Sequence, residues 1–166
     1  MRVMVLRGLP AALLAGLVVA VFAPVAAPTP GYARATTVRI STRVIPKLGP
    51  VLVNSKGMTL YMFVPDKRAK VTCVRTCAAV WPPLKLVAGA KAATAGKARA
   101  SLLGSDANPS GGRVVTYNKW PLYTYVADRA PGQAKGQALN LNGGLWYVVS
   151  PAGLVIHTKL AGGGYR

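Results

Sequence analysis

Two carboxylates sit at one equivalent position in this chain. Tyr61-Met62-Phe63-Val64-Pro65-Asp66 returns as Tyr123-Thr124-Tyr125-Val126-Ala127-Asp128, an offset of 62 residues that also aligns Gly49 with Gly111 and Val53 with Val115. Each aspartate follows a β-prone run and opens a loop. Two readings are open for Asp66 and Asp128. As Asx turns or caps, they accept backbone N–H bonds and fix their loops. As a facing pair in a symmetric cleft, they bind a ligand or serve as acid and base.

Cys73 and Cys77, the only cysteines, are expected to form a disulfide in an oxidising compartment. A redox dithiol is the other reading, but redox pairs favour C-x-x-C and this is C-x3-C. Trp81, Trp120 and Trp146 supply a third group. They serve as core or as a platform on which sugar rings or other flat ligands stack.

The remaining chemistry is sparse. His157 is the sole histidine, and the acids number three, so no cluster has metal-ligand spacing. No Gly-x-Ser-x-Gly elbow accompanies His157. Gly111-Gly112 and Gly143-Gly144 lack the form of a phosphate loop. No catalytic residue, metal site or cofactor is assigned, and the reading leans away from an enzyme.

The elements that would hold these residues read as β. Val38, Ile40, Thr42 and Val44 alternate with Arg39, Ser41 and Arg43, as in a half-buried strand with a cationic outer face. Val51–Val53 and Leu60–Val64 join through Asn54-Ser55-Lys56-Gly57 as a hairpin. Arg113–Thr116 and Leu122–Val126 join around Asn118-Lys119. Leu145–Val149 and Leu154–Thr158 flank a turn at Ser150-Pro151-Ala152-Gly153. On the return strands Leu60, Met62 and Val64 oppose Tyr61 and Phe63, and Leu122, Thr124 and Val126 oppose Tyr123 and Tyr125. Strands that are apolar on both faces belong inside a structure rather than on an open sheet. Cys73–Val80 reads as a short helical turn, residues 88–100 as a partly helical link of low packing value, and Asp106–Gly112 as a loop. The expected fold is mainly β: two pseudo-symmetric, hairpin-containing repeats packed as one small sandwich or barrel-like domain.

Length and charge set the frame. Residues 1–35 read as a secretory signal: Arg2 and Arg7, an apolar run from Leu13 to Phe22, then prolines and small residues. Cleavage is expected after Ala35, with Ala27 the second site. A retained membrane anchor is the other reading, although the run is short of the roughly 20 residues a spanning helix needs. Residues 36–88 form repeat one, 89–99 the linker, 100–161 repeat two and 162–166 a disordered tail. Losing Arg2, Arg7 and Arg34 takes the net charge from +18 to +15. Charged residues are only 14% of the chain, against about 25% in typical proteins, so the excess comes from missing acids. Such a surface stays soluble by repulsion or attracts polyanions, with wall polymers and membrane surfaces ahead of nucleic acid.

Together these residues resemble a bacterial secreted-repeat family of unknown function, also described as predicted lipoproteins with a Y-x-[FWY]-x-x-D motif. The resemblance rests on the two motif copies, on Cys73-Val74-Arg75-Thr76-Cys77-Ala78 with Trp81-Pro82-Pro83-Leu84, and on Ala100-Ser101-Leu102-Leu103-Gly104. It continues through Ala130-Pro131-Gly132, Gly136-Gln137 and Trp146-Tyr147-Val148-Val149-Ser150-Pro151. It implies export and a duplicated β unit, with no activity attached. The lipid-attachment cysteine of many members is absent, since no cysteine precedes Cys73, so a secreted, envelope-associated protein without a lipid anchor is expected. The basic surface also departs from the family and points to an anionic partner particular to this chain.

Overall fold

The structure, a computed structural model, describes residues 37–66 and 69–160. The expected signal segment with its cleavage sites, and the expected tail, lie outside the described residues. Within them the protein is mainly β, built of three small sheets.

The first sheet begins with β1 (Thr37–Ile45), which turns back into β2 (Gly49–Asn54) with antiparallel register Ile45↔Gly49 to Ile40↔Asn54. Asn54 then closes the expected hairpin. Its Oδ1 accepts from the backbone N–H of Lys56 (2.9 Å) and Met58 (3.0 Å), an Asx-type turn. The chain returns along β2 only as far as Leu60, whose N–H donates to Leu52 O (3.0 Å). β3 (Tyr61–Phe63) then leaves that hairpin and pairs with a strand of the other repeat. A 3-10 turn over Val64–Asp66 ends it, shorter than the expected run to Val64. A short helix α1 (Thr76–Val80) and β4 (Lys85–Leu86) follow.

Repeat two retraces this path. β6 (Leu103–Ala107), β7 (Arg113–Tyr117) and β8 (Trp120–Pro121) form an antiparallel sheet with β4. Asn118 and Lys119 both take positive φ (48° and 67°) in the two-residue turn between β7 and β8, as a type I′ hairpin requires. β9 (Leu139–Leu141) and β10 (Gly144–Val148) complete the third sheet, in the order β3-β10-β9. The Ser150–Gly153 turn is also present, closed by Ser150 N to Leu154 O at 2.9 Å.

Several expectations need correction. Leu154–Thr158 is not a strand; only Val155 bridges, to Val149. The expected loop at Asp106–Gly112 starts later, because Asp106 and Ala107 belong to β6. Leu122–Val126 is not a ladder strand: its N–H groups at Thr124 and Val126 bond instead to Pro82 O and Val80 O in repeat one. The link at residues 88–100 contains β5 (Lys91–Thr94), which lies parallel to β1. Backbone pairing to β1 and the packing of Ala92 against the cluster around Ile40 hold it there, and its alanines carry little strand signal. Val44 is 71% exposed rather than inward, since the inner packing on its face of β1 reaches only to Ile40.

Two buried clusters result, on opposite faces of the return segments. Leu60, Met62 and Leu122 join Ile40, Leu52, Val115 and Val149 on one side. Tyr61, Phe63, Tyr123 and Tyr125 join Trp81 and Trp146 on the other. The two-sided burial expected of these segments is present over Leu60 to Phe63 and at Leu122, Tyr123 and Tyr125, but it fails at their ends, where Val64 and Val126 are 39% and 42% exposed.

Candidate functional site

Tyr61 and Tyr123 lie opposite each other and exchange both backbone bonds, N to O at 2.9 Å each way. Antiparallel neighbours that do this sit on a local two-fold. Because the two tyrosines are equivalent in the repeat, that two-fold relates repeat one to repeat two. Its consequence appears in the side chains. Tyr61 Oη donates to Asp128 Oδ2 at 2.6 Å, and Tyr123 Oη donates to Asp66 Oδ2 at 2.7 Å. Each repeat's tyrosine is thus bound by the other repeat's aspartate.

The second oxygen of each carboxylate serves its own loop. Asp66 Oδ1 accepts from Thr72 N (2.8 Å) and Thr72 Oγ1 (2.6 Å). Asp128 Oδ1 accepts from Lys135 N (2.9 Å). Gly136 N adds a 3.3 Å bond to Tyr61 Oη. Burial pushes both carboxyls above the ordinary aspartate range, and the donors around them oppose that shift. Tyr61 and Tyr123 hold their protons far more tightly than a free phenol, first through burial and then through the neighbouring carboxylate.

Beside these bonds four rings form one stack, again alternating between repeats. Trp81 and Trp146 lie face to face with centroids 3.9 Å apart and planes 2° from parallel. Phe63 stacks on the outer face of Trp146 and Tyr125 on that of Trp81, each at 4.1 Å. Tyr61 and Tyr123 meet the same indoles edge-on, at 5.4 and 5.2 Å. The symmetry breaks at the indole nitrogens. Trp146 Nε1 donates to Leu141 O (2.9 Å), whereas Trp81 Nε1 is buried with no partner.

The sequence-identified residues divide accordingly. The motif residues Tyr61, Phe63, Asp66, Tyr123, Tyr125 and Asp128 all meet at this centre. Trp81 and Trp146 meet there too, but neither shows any surface to solvent, so they form no platform for a flat ligand. Trp120 packs instead at the edge of the aliphatic cluster. Cys73 and Cys77 are joined in a disulfide, with no free cysteine among the described residues. The bridge begins one residue after Thr72 and pins the loop that carries it. His157 stands apart, edge-on to Tyr147 at 4.8 Å. Among the described residues no three metal-ligating side chains come together.

Sequence reasoning missed Thr72, Gly136 and Gln137. Gln137 is buried; its Nε2 donates to Ile156 O and Thr158 O, and its Oε1 accepts from Val148 N, so it ties the last segment to β10. The Gly136-Gln137 pair was visible only as part of a resemblance, because a lone glutamine carries no periodic signal.

This arrangement supports no acid–base chemistry. Both carboxylates are bonded on both oxygens, and both tyrosines are fully enclosed. What it does is couple two half-cores.

Neither the curated proteins nor the solved structures contain a match to the chain. A family model described as a secreted repeat of unknown function matches it twice, over residues 42–85 and 105–150. Those two matches cover more than half of the sequence and coincide with the two copies that meet at the tyrosine–aspartate exchange, and the chain belongs to that family of secreted repeats.

Proposed function

We propose that this protein is a non-catalytic binding or structural module of the cell envelope, attracted to anionic polymers. One observation carries the reading. Of its three acidic residues, Asp66 and Asp128 are enclosed in the core, and the third, Asp106, is half-buried. Almost every charge the surface presents is therefore positive, and the field around the molecule has one sign. Export brings that surface to wall polymers and membrane headgroups before any nucleic acid. The chemistry needed by the rival readings is engaged elsewhere: the aspartates hold tyrosines, and the cysteines are bridged. On this reading, attachment to the envelope rests on charge.

Retention on purified envelope, measured as salt is raised, tests this. Attraction between exposed charges is screened within about 8 Å at physiological ionic strength and within about 3 Å at 1 M. Release at high salt is expected. Retention that is indifferent to salt would contradict the electrostatic reading.

A further inference from the structure

We propose that an open groove across β1 and the β2 hairpin turn is the binding site for a linear phosphodiester polymer. The groove has a volume of about 840 Å³ and is lined by Arg39, Arg43 and Lys56 together with Ser41, Thr42, Asn54 and Ser55. The proposal rests on the reading of an anionic-polymer module and gives that module an address.

Its geometry, charge and donor set support it. Arg39, Ser41 and Arg43 alternate along one face of β1, so the two guanidinium groups rise from the same side of the sheet. Their Cα atoms are roughly 13 Å apart at about 3.3 Å per residue, a separation suited to charges recurring along an extended chain. All three cations are exposed, and no acidic residue lines the groove to neutralise them.

Arg43 is also positioned. A Cβ on Gly57, which sits at φ +74°, would come within 3.5 Å of Arg43 Nη2 and 3.2 Å of Pro131 Cβ. The Arg43 stem passes 3.8 Å from the corresponding point on Gly132. The turn that carries Lys56 and the Pro131-Gly132 loop of repeat two therefore flank Arg43, which limits the freedom a surface arginine loses on binding.

The donor set suits phosphate. Arginine forks and a lysine ammonium bind oxyanions by charge-assisted bonds, and the hydroxyls of Ser41 and Ser55 add donors from other directions.

The test uses the full chain with three probes: poly(glycerol phosphate), poly-glutamate of matched charge, and phosphatidylglycerol vesicles. Two triple variants remove equal charge. R39Q/R43Q/K56Q empties the groove, and K85Q/K119Q/K159Q removes exposed lysines outside it. Circular dichroism checks that both remain folded. The groove triple is expected to weaken poly(glycerol phosphate) binding by about tenfold or more, with a shallower salt dependence, and the control triple by less than about threefold. Equal losses in the two triples would overturn the groove while leaving general electrostatic attraction intact. Poly-glutamate or vesicles bound as tightly as the phosphate polymer would overturn the phosphodiester assignment. Failure of the unaltered protein to bind any of the three would overturn both this site and the function on which it rests.

Discussion

Removing the phenolic oxygen of Tyr61 leaves Asp128 Oδ2 buried without its partner. A hydrogen bond to a charged group contributes about 1.5–3 kcal/mol, and an abandoned buried acceptor adds a desolvation penalty. Tyr61→Phe and Tyr123→Phe are each expected to lower unfolding free energy by about 2 kcal/mol in urea titrations. The local two-fold makes the two losses similar. The same residues set the pH response. Asp66 and Asp128 keep their protons to a higher pH when folded than the roughly 3.9 of an unfolded chain, so the folded state binds more protons in that window. Stability is therefore lost as pH rises through the folded values and gained as pH falls toward about 4. With so few acids, that fall adds little repulsive charge. The thermal midpoint is expected to rise on mild acidification, and Asp66→Asn to flatten the slope. Tyr61 and Tyr123 act at the other end, where an unfolded tyrosine ionises near 10 and the folded ones do not. Each is expected to remove about 1.4 kcal/mol per pH unit above that value, so tyrosinate absorbance should appear together with unfolding.

Among the elements, the turns were the most legible part of the sequence. Asn54 to Gly57, Asn118-Lys119 and Ser150 to Gly153 each carry residues that a particular turn demands, and each turn is present. The two-faced apolar pattern of Leu60 to Phe63 was equally readable, because period-two alternation with both faces apolar has few other meanings. β5 was not readable: Lys91 to Thr94 contributes backbone hydrogen bonds to β1 and almost no side-chain signal. Nor was the desertion of β3 from its own hairpin, since local residues specify the turn and distant ones specify the partner. The loop after Asp128 shows the same limit. Gly136 has an ordinary φ, yet a Cβ there would lie 2.6 Å from Trp81 Cη2 and 3.0 Å from Tyr61 Cε1. Overpacking against a locked indole typically costs about 1–3 kcal/mol. Gly136→Ala is expected to destabilise by that amount in chemical denaturation, although alanine is conformationally acceptable at that φ.

At the scale of the whole molecule, two units that are each too small to bury an adequate core form one protein by exchanging their central groups. Equivalence of Asp66 and Asp128 was plain in the sequence. Their partners were not, because each tyrosine arrives from the other repeat, 67 and 57 residues away. Carboxylates that resemble a catalytic pair are instead fasteners between the two repeats. The ring stack follows the same alternation, Phe63, Trp146, Trp81, Tyr125, so neither repeat's aromatics close on themselves. Double-mutant cycles on the full chain resolve the exchange directly. Tyr61→Phe combined with Asp128→Asn is expected to show a coupling of about 1 kcal/mol or more, whereas Tyr61→Phe combined with Asp66→Asn shows a coupling within about 0.5 kcal/mol of zero. Strong coupling of Tyr61 to Asp66, with none to Asp128, would mean that each repeat fastens only itself.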